Sequence, residues 1–184
     1  MNKMKKVLLV VLCALLLIGG SVMGTLAYLT STATVENTFT AGSVIITMDE
    51  AKVDEYGVPE ENAARVITNT YKLVPGHTYV KDPTIRVGAN SEDCYLFVKI
   101  TKGENFTLVG MDGWTRIGET DVWYYNQTAK ANDVVTVFNE ITYSASVEGN
   151  TTPGEEKLVV IAYAVQKDSF NNAKAAWDAT FANK

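Results

Sequence analysis

The eight residues Cys94-Tyr-Leu-Phe-Val-Lys-Ile-Thr101 alternate with a period of two, which suits a strand and no helix. Cys94, Leu96, Val98 and Ile100 fall on one face, and Tyr95, Phe97, Lys99 and Thr101 on the other. A second segment, Leu158-Val-Val-Ile-Ala-Tyr-Ala-Val165, is apolar on both faces, which predicts a central strand covered on both sides. Shorter strand candidates stand between them at 106–109, 114–117, 121–125, 134–138 and 141–144, punctuated by glycines at 103, 110, 113 and 118. Such spacing leaves no room for crossover helices. The predicted fold is mainly β: a jelly-roll-like antiparallel β-sandwich.

The chain changes period from Asp168 onward. Asp168-Ser169 offers an N-cap. Beyond it Phe170, Ala173, Trp177 and Phe181 fall at i, i+3, i+7 and i+11 with Ala176 beside them, the stripe of a C-terminal helix laid against the sheet. Upstream of the alternating strand, 38–48 reads as a strand in which Val44, Ile46 and Met48 face one way and Ile45 and Thr47 the other. Val74-Pro-Gly-His77 is a turn, because Pro fixes φ at its second position and Gly accepts positive φ at its third. The strand 78–87 follows it, and Pro83 predicts an edge position or a bulge there. Two polar stretches, 49–61 and 148–156 with its Pro153-Gly154, read as connections.

The amino terminus has the pattern of an export signal. Lys3, Lys5 and Lys6 precede twelve apolar residues, Val7 to Ile18, and Gly19-Gly20-Ser21 then breaks the run. At 1.5 Å per residue that run is too short for about 30 Å of hydrocarbon. Thr25 and Ala27 are small residues at −3 and −1 of a cleavage site before Tyr28, with Ser31-Thr-Ala33 a weaker second site. The expected organisation is therefore a signal peptide, 1–27, and a single β-rich domain, 28–184, secreted or held at the cell surface, with no stable membrane span after cleavage. An uncleaved anchor reaching Leu29 is the alternative. Cys13 lies in the leader, so the remaining chain has Cys94 alone and no internal disulfide. Cys94 sits on the apolar face of its strand, where a thiol acts as a small hydrophobe.

Charge and missing motifs narrow the function. The leader holds three of the 16 basic residues and none of the 21 acidic ones, so the remainder carries 13 against 21, a formal charge of −8. Nucleic acid is excluded as an expected partner, since phosphate binding needs a basic face. The six acids of 49–61 (Asp49, Glu50, Asp54, Glu55, Glu60, Glu61) lack calcium-loop spacing, so a solvated loop is expected and no metal. His77 is the single histidine; it stands beside a turn glycine, without the paired histidines of a zinc hydrolase or a sequence-adjacent acid. Gly57 and Gly76 are isolated, which leaves no phosphate loop and no expected cofactor. Trp114, Trp123, Tyr124 and Tyr125 admit a sugar platform but fit strand packing better.

Several tracts carry a resemblance. Gly24-Thr-Leu-Ala-Tyr28 is followed about ten residues on by Asn37-Thr-Phe-Thr-Ala-Gly42, then by Leu73-Val-Pro-Gly-His-Thr-Tyr-Val-Lys-Asp-Pro-Thr84 and Ser91-Glu-Asp-Cys-Tyr-Leu-Phe-Val-Lys99. In this order they resemble the TasA/camelysin family, exported proteins of Gram-positive bacteria with SipW-type signal peptides. The likeness covers residues 19–100, thins across the middle and returns at 162–166. It implies cleavage by a SipW-type signal peptidase and assembly into surface or biofilm-matrix fibres. The metallopeptidase activity described for the camelysin branch is not carried over, because the zinc ligands are missing.

An exported structural protein, not an enzyme, is the expectation. A monomeric secreted module binding glycan or cell wall is the alternative, and a camelysin-like metallopeptidase comes third. Segment 28–39 is expected to act as the assembly strand of a homopolymer. Released at Tyr28, it has little charge and no proline; its threonines favour extended backbone, and Val35 and Phe39 can fill apolar pockets. Adding it to the sheet edge of another copy would satisfy its backbone groups. The plainer alternative is pairing within its own sheet.

Overall fold

The computed structural model describes residues 43–147 and 156–181, together with Met4. The chain divides into residues 1–40 and 41–184, and every described strand and the described helix belong to the second unit. The signal peptide, the cleavage residues Thr25, Ala27 and Tyr28, the assembly strand with Val35 and Phe39, the strand start at 38–42 and the link 148–155 lie outside the described residues.

The described part is mainly β, with antiparallel pairing throughout and one C-terminal helix. Its strands are β1 (Ile46–Ala51), β2 (Arg65–Val66), β3 (Thr78–Val80), β4 (Thr84–Val87), β5 (Cys94–Lys102), β6 (Phe106–Val109), β7 (Trp114–Arg116), β8 (Val122–Tyr125), β9 (Val134–Thr136), β10 (Glu140–Tyr143) and β11 (Leu158–Gln166). The helix α1 is Ala173–Phe181. Hydrogen bonding gives three sheets, ordered β2-β1-β4-β9, β3-β10-β6 and β11-β5-β8-β7.

The first two sheets form one layer. Val80 stands opposite Glu140, and Thr84 opposite Thr136, in a single unbroken register. Between them Lys81 N–H donates to Asn139 O (3.1 Å) and Val137 N–H donates to Pro83 O (2.8 Å). Pro83, which has no N–H to return, interrupts the strand at this point. It does so in the middle of a layer, with β1 on one side and β9 on the other, rather than at an edge.

The core lies between this layer and the sheet of β5. Tyr79, Ile85, Val87, Val135 and Ile141 meet Cys94, Leu96, Val98 and Ile100 in one buried cluster, all at most 8 % exposed. Each large side chain so buried contributes about 1.5–3 kcal/mol. The other face of β5 carries Tyr95 and Phe97 into a second cluster with Val122, Ala173, Ala176 and Trp177. Phe97 and Trp177 lie 5.2 Å apart, and Phe181 lies 4.6 Å from Trp177. The helix therefore covers the sheet with the stripe expected of it.

One local expectation is corrected and another holds. Asp168 and Ser169 belong to a 3-10 turn, Lys167–Ser169, and the helix is capped by Asn172, whose Oδ1 accepts the Ala175 N–H at 2.8 Å. Asn serves this role as well as Asp or Ser, so the helix starts later than Phe170. The turn expected at 74–77 does form: His77 N–H donates to Val74 O (3.0 Å), with Gly76 at φ 79°. Tyr79 Oη braces that turn, accepting from Val74 N–H (2.6 Å) and donating to Lys72 O (2.9 Å). Gly57, at φ 77°, passes so close to Tyr79 that an added Cβ would lie 2.7 Å from the tyrosine Cβ.

Candidate functional site: an open strand edge beside a groove

The two-sided apolar strand β11 is not central. It ends its sheet in the order β11-β5-β8-β7, so among the described residues its second edge has no strand partner. The direction of its backbone groups is set by β5. Cys94 exchanges both backbone hydrogen bonds with Ala129 (2.9 Å each), and Ile100 N–H donates to Asp121 O (2.9 Å). The even-numbered residues of β5 thus bond away from β11, and its odd-numbered residues bond toward it. Their partners Val159, Ile161, Tyr163 and Val165 are consumed in that ladder. Leu158, Val160, Ala162 and Ala164 consequently turn their N–H and C=O groups to the open edge.

A groove of about 790 Å³ adjoins this edge. One wall is β11 itself, at Leu158 to Val160; the others come from β1, from the 67–73 segment, and from Phe106 and Ile141 below. The β1 wall is also incompletely paired. Gly88 N–H donates to Ile45 O (2.8 Å), so Ile45, Thr47 and Asp49 bond β4, and Ile46 and Met48 face away from it. β2 covers only Glu50 and Ala51. Exposed apolar side chains line the groove: Val159 is 46 % exposed and Ile67 is 89 % exposed.

Charged groups hold the segment after β1 in place. Asp49 accepts from Arg65 Nε (2.7 Å) and Arg86 Nε (2.9 Å), and Asp82 accepts from Arg65 Nη1 (2.5 Å). Burial pushes the Asp49 carboxyl upward, but the hydrogen bonds from Arg86 and Arg65 outweigh it and leave the carboxyl below its ordinary value. Deeper in, Lys81 Nζ lies 2.5 Å from Glu50 Oε2. Asn69 Nδ2 donates to Glu50 Oε1 (3.0 Å) and to Ala51 O (2.9 Å). Burial pushes the phenol of neighbouring Tyr71 upward, with Glu50 adding to the effect. Asp49 and Glu50 are therefore strand residues with cationic partners, which corrects the reading of 49–61 as a solvated acidic loop. The loop proper is braced by Asp54, whose Oδ1 accepts from Tyr56 N–H (2.9 Å) and Val58 N–H (2.8 Å).

The remaining candidates are dispersed. His77 is half-buried; its Nε2 lies 3.0 Å from Tyr56 O, and its ring stands edge-on to Tyr79 at 4.6 Å. Among the described residues no three His, Cys, Asp or Glu side chains converge as a metal site would require. Cys94 is fully buried, and burial pushes its thiol up to about 11. The aromatic set divides between locations. Trp114 is buried against Tyr125 with its Nε1 donating to Thr136 O (3.1 Å), Trp123 lies under Arg116, and Tyr124 packs into the helix cluster. Such a division packs strands and makes no flat sugar platform. Sequence reasoning missed Asn69, Arg65 and the Glu50–Lys81 contact. Each partner lies 15 or more residues away in the chain, and no local pattern links them.

Among the described residues no helix is long and apolar enough to cross a membrane. Comparison of the chain with family models, curated proteins and solved structures gave no match.

Proposed function

We propose that this chain is an exported structural subunit of the TasA/camelysin type that builds fibres by passing a strand from one copy to the next. A SipW-type signal peptidase releases Tyr28, and segment 28–39 then adds to the β11 edge of a neighbouring copy. The open backbone edge of Leu158, Val160, Ala162 and Ala164 carries the reading. A nine-residue apolar strand with one edge unpaired among the described residues is a template for another chain. The added strand gains main-chain hydrogen bonds along this edge, and Val35 and Phe39 bury apolar surface in the groove beside it. A head-to-tail contact of this kind need not close, and a contact that does not close propagates a filament.

The tethered leader keeps the strand from reaching a neighbour, so cleavage is the assembly switch. The test compares chains beginning at Tyr28 and at Thr40 by electron microscopy and sedimentation. The reading expects fibres from the first only, with both chains folded by circular dichroism. Fibres from both, or from neither, would overturn it.

A further inference from the structure

Glu50, Asn69 and Lys81 form a constellation in the groove wall whose chemistry neither the fold nor the assembly reading uses. The two oxygens of one carboxylate grip two different groups: Oε2 lies 2.5 Å from Lys81 Nζ, and Oε1 accepts from Asn69 Nδ2 at 3.0 Å. The Glu50 and Lys81 side chains are only 7 % and 11 % exposed. An amine and a carboxamide are thereby held on the two oxygens of one carboxylate, in the wall of the groove. The carboxamide oxygen is also engaged, since Asn69 Oδ1 accepts from Val53 N–H at 3.2 Å. Tyr71 closes one side, with Lys81 Nζ 5.5 Å from its ring centroid.

These are the parts of an acyl transfer: a nucleophile, a proton carrier touching both nucleophile and leaving group, and a donor on the oxygen where charge develops. We propose that Lys81 and Asn69 join through an intramolecular amide bond, with Glu50 as its proton carrier. Glu50 takes one proton from the Lys81 ammonium. The freed lone pair on Nζ attacks Asn69 Cγ, and the carbonyl π pair moves onto Oδ1, where Val53 N–H receives it. Glu50 delivers its proton to Nδ2; the Cγ–Nδ2 bond breaks with its electron pair on nitrogen, and ammonia departs. Glu50 then takes the surplus proton from Nζ, and the oxygen pair re-forms the carbonyl. No oxidant, reductant or cofactor enters the balance. Proximity carries the reaction, since holding both groups on one carboxylate replaces a bimolecular encounter.

The product is a covalent tie from the 67–73 wall of the groove to the layer of β3 and β4. The inference rests on these three side chains and not on fibre formation. Its readout is a mass, so the two ideas fail separately.

The experiment is intact-mass and tryptic peptide analysis of the folded chain. The expected result is a chain lighter than its sequence by one ammonia, with peptide 66–72 branched onto peptide 73–86 and no cut after Lys81. Asn69→Ala keeps the Glu50–Lys81 pair, so it folds, and it is expected at full mass. Glu50→Gln is expected to slow the appearance of the lighter species about 100-fold after refolding. A folded wild-type chain at full mass overturns the proposal. So does ammonia lost within peptide 66–72 alone, which is cyclisation of Asn69 on its own backbone. Water lost in a link between Lys81 and Glu50 overturns it as well.

Discussion

Ile161 faces Lys99 as a hydrogen-bonded pair of the β5–β11 ladder, and this fixes the backbone of its neighbour Ala162 toward the open edge. Adjacent positions in one strand therefore respond oppositely to proline. Ile161→Pro removes a ladder hydrogen bond inside the sheet and is expected to cost about 3 kcal/mol or more. Ala162→Pro removes an N–H that has no partner among the described residues, and about 1 kcal/mol or less is expected. Urea unfolding midpoints of the two variants check the pair. Similar losses at both positions would mean that the ladder runs in the other phase.

The helix is held by aromatic packing rather than by length, since nine residues are too few for a stable isolated helix. Trp177 contacts Phe97, Tyr163 and Phe181, with ring centroids at 5.2, 5.8 and 4.6 Å. Trp177→Ala is expected to destabilise by about 2–3 kcal/mol, less than for a fully buried tryptophan because its side chain is half-buried. The near-ultraviolet dichroism of the folded state should weaken with it. Thermal unfolding measures the cost.

Asp49 gives the fold an acid dependence. Its pKa in the folded chain lies below the ordinary value, because the hydrogen bonds from Arg86 and Arg65 outweigh the opposing effect of burial. A group depressed in this way contributes stability that is present above its unfolded pKa, about 3.9, and is lost as pH falls through its folded value. Asp49→Asn should therefore cost about 1–3 kcal/mol at pH 7. The gap between wild type and variant should close as pH falls below about 4. Denaturation at both pH values decides; a gap that does not narrow contradicts the assignment.

Much of the fold was legible in local pattern. The alternation from Cys94 to Thr101 places Leu96 and Val98 in one core and Phe97 in the other, because side-chain direction in a strand is set by position alone. Pro75-Gly76 marks its turn for the same local reason. Pro83 was legible as an interruption but not as to where in the layer it falls, since edge or interior depends on which distant strands pair beside it. The apolar faces of 158–165 are covered only in part: the core takes Val160 and Ala162 and the helix side takes Tyr163 and Val165, while Val159 and Ile161 stay about half exposed. They carry no information about its edges, which is why a strand expected to be central ends its sheet. The Glu50–Asn69–Lys81 contact was illegible for a related reason. It joins three segments brought together only by the completed layer.

The open edge of β11 is the centre of this account, and one measurement addresses it most directly. Electron microscopy of the chain beginning at Tyr28, alongside the same chain carrying Ala162→Pro, reads strand addition against a fold that proline at this position leaves intact. Fibres from the first and dispersed folded subunits from the second are predicted. Fibres of equal abundance from a folded Ala162→Pro chain would contradict the account.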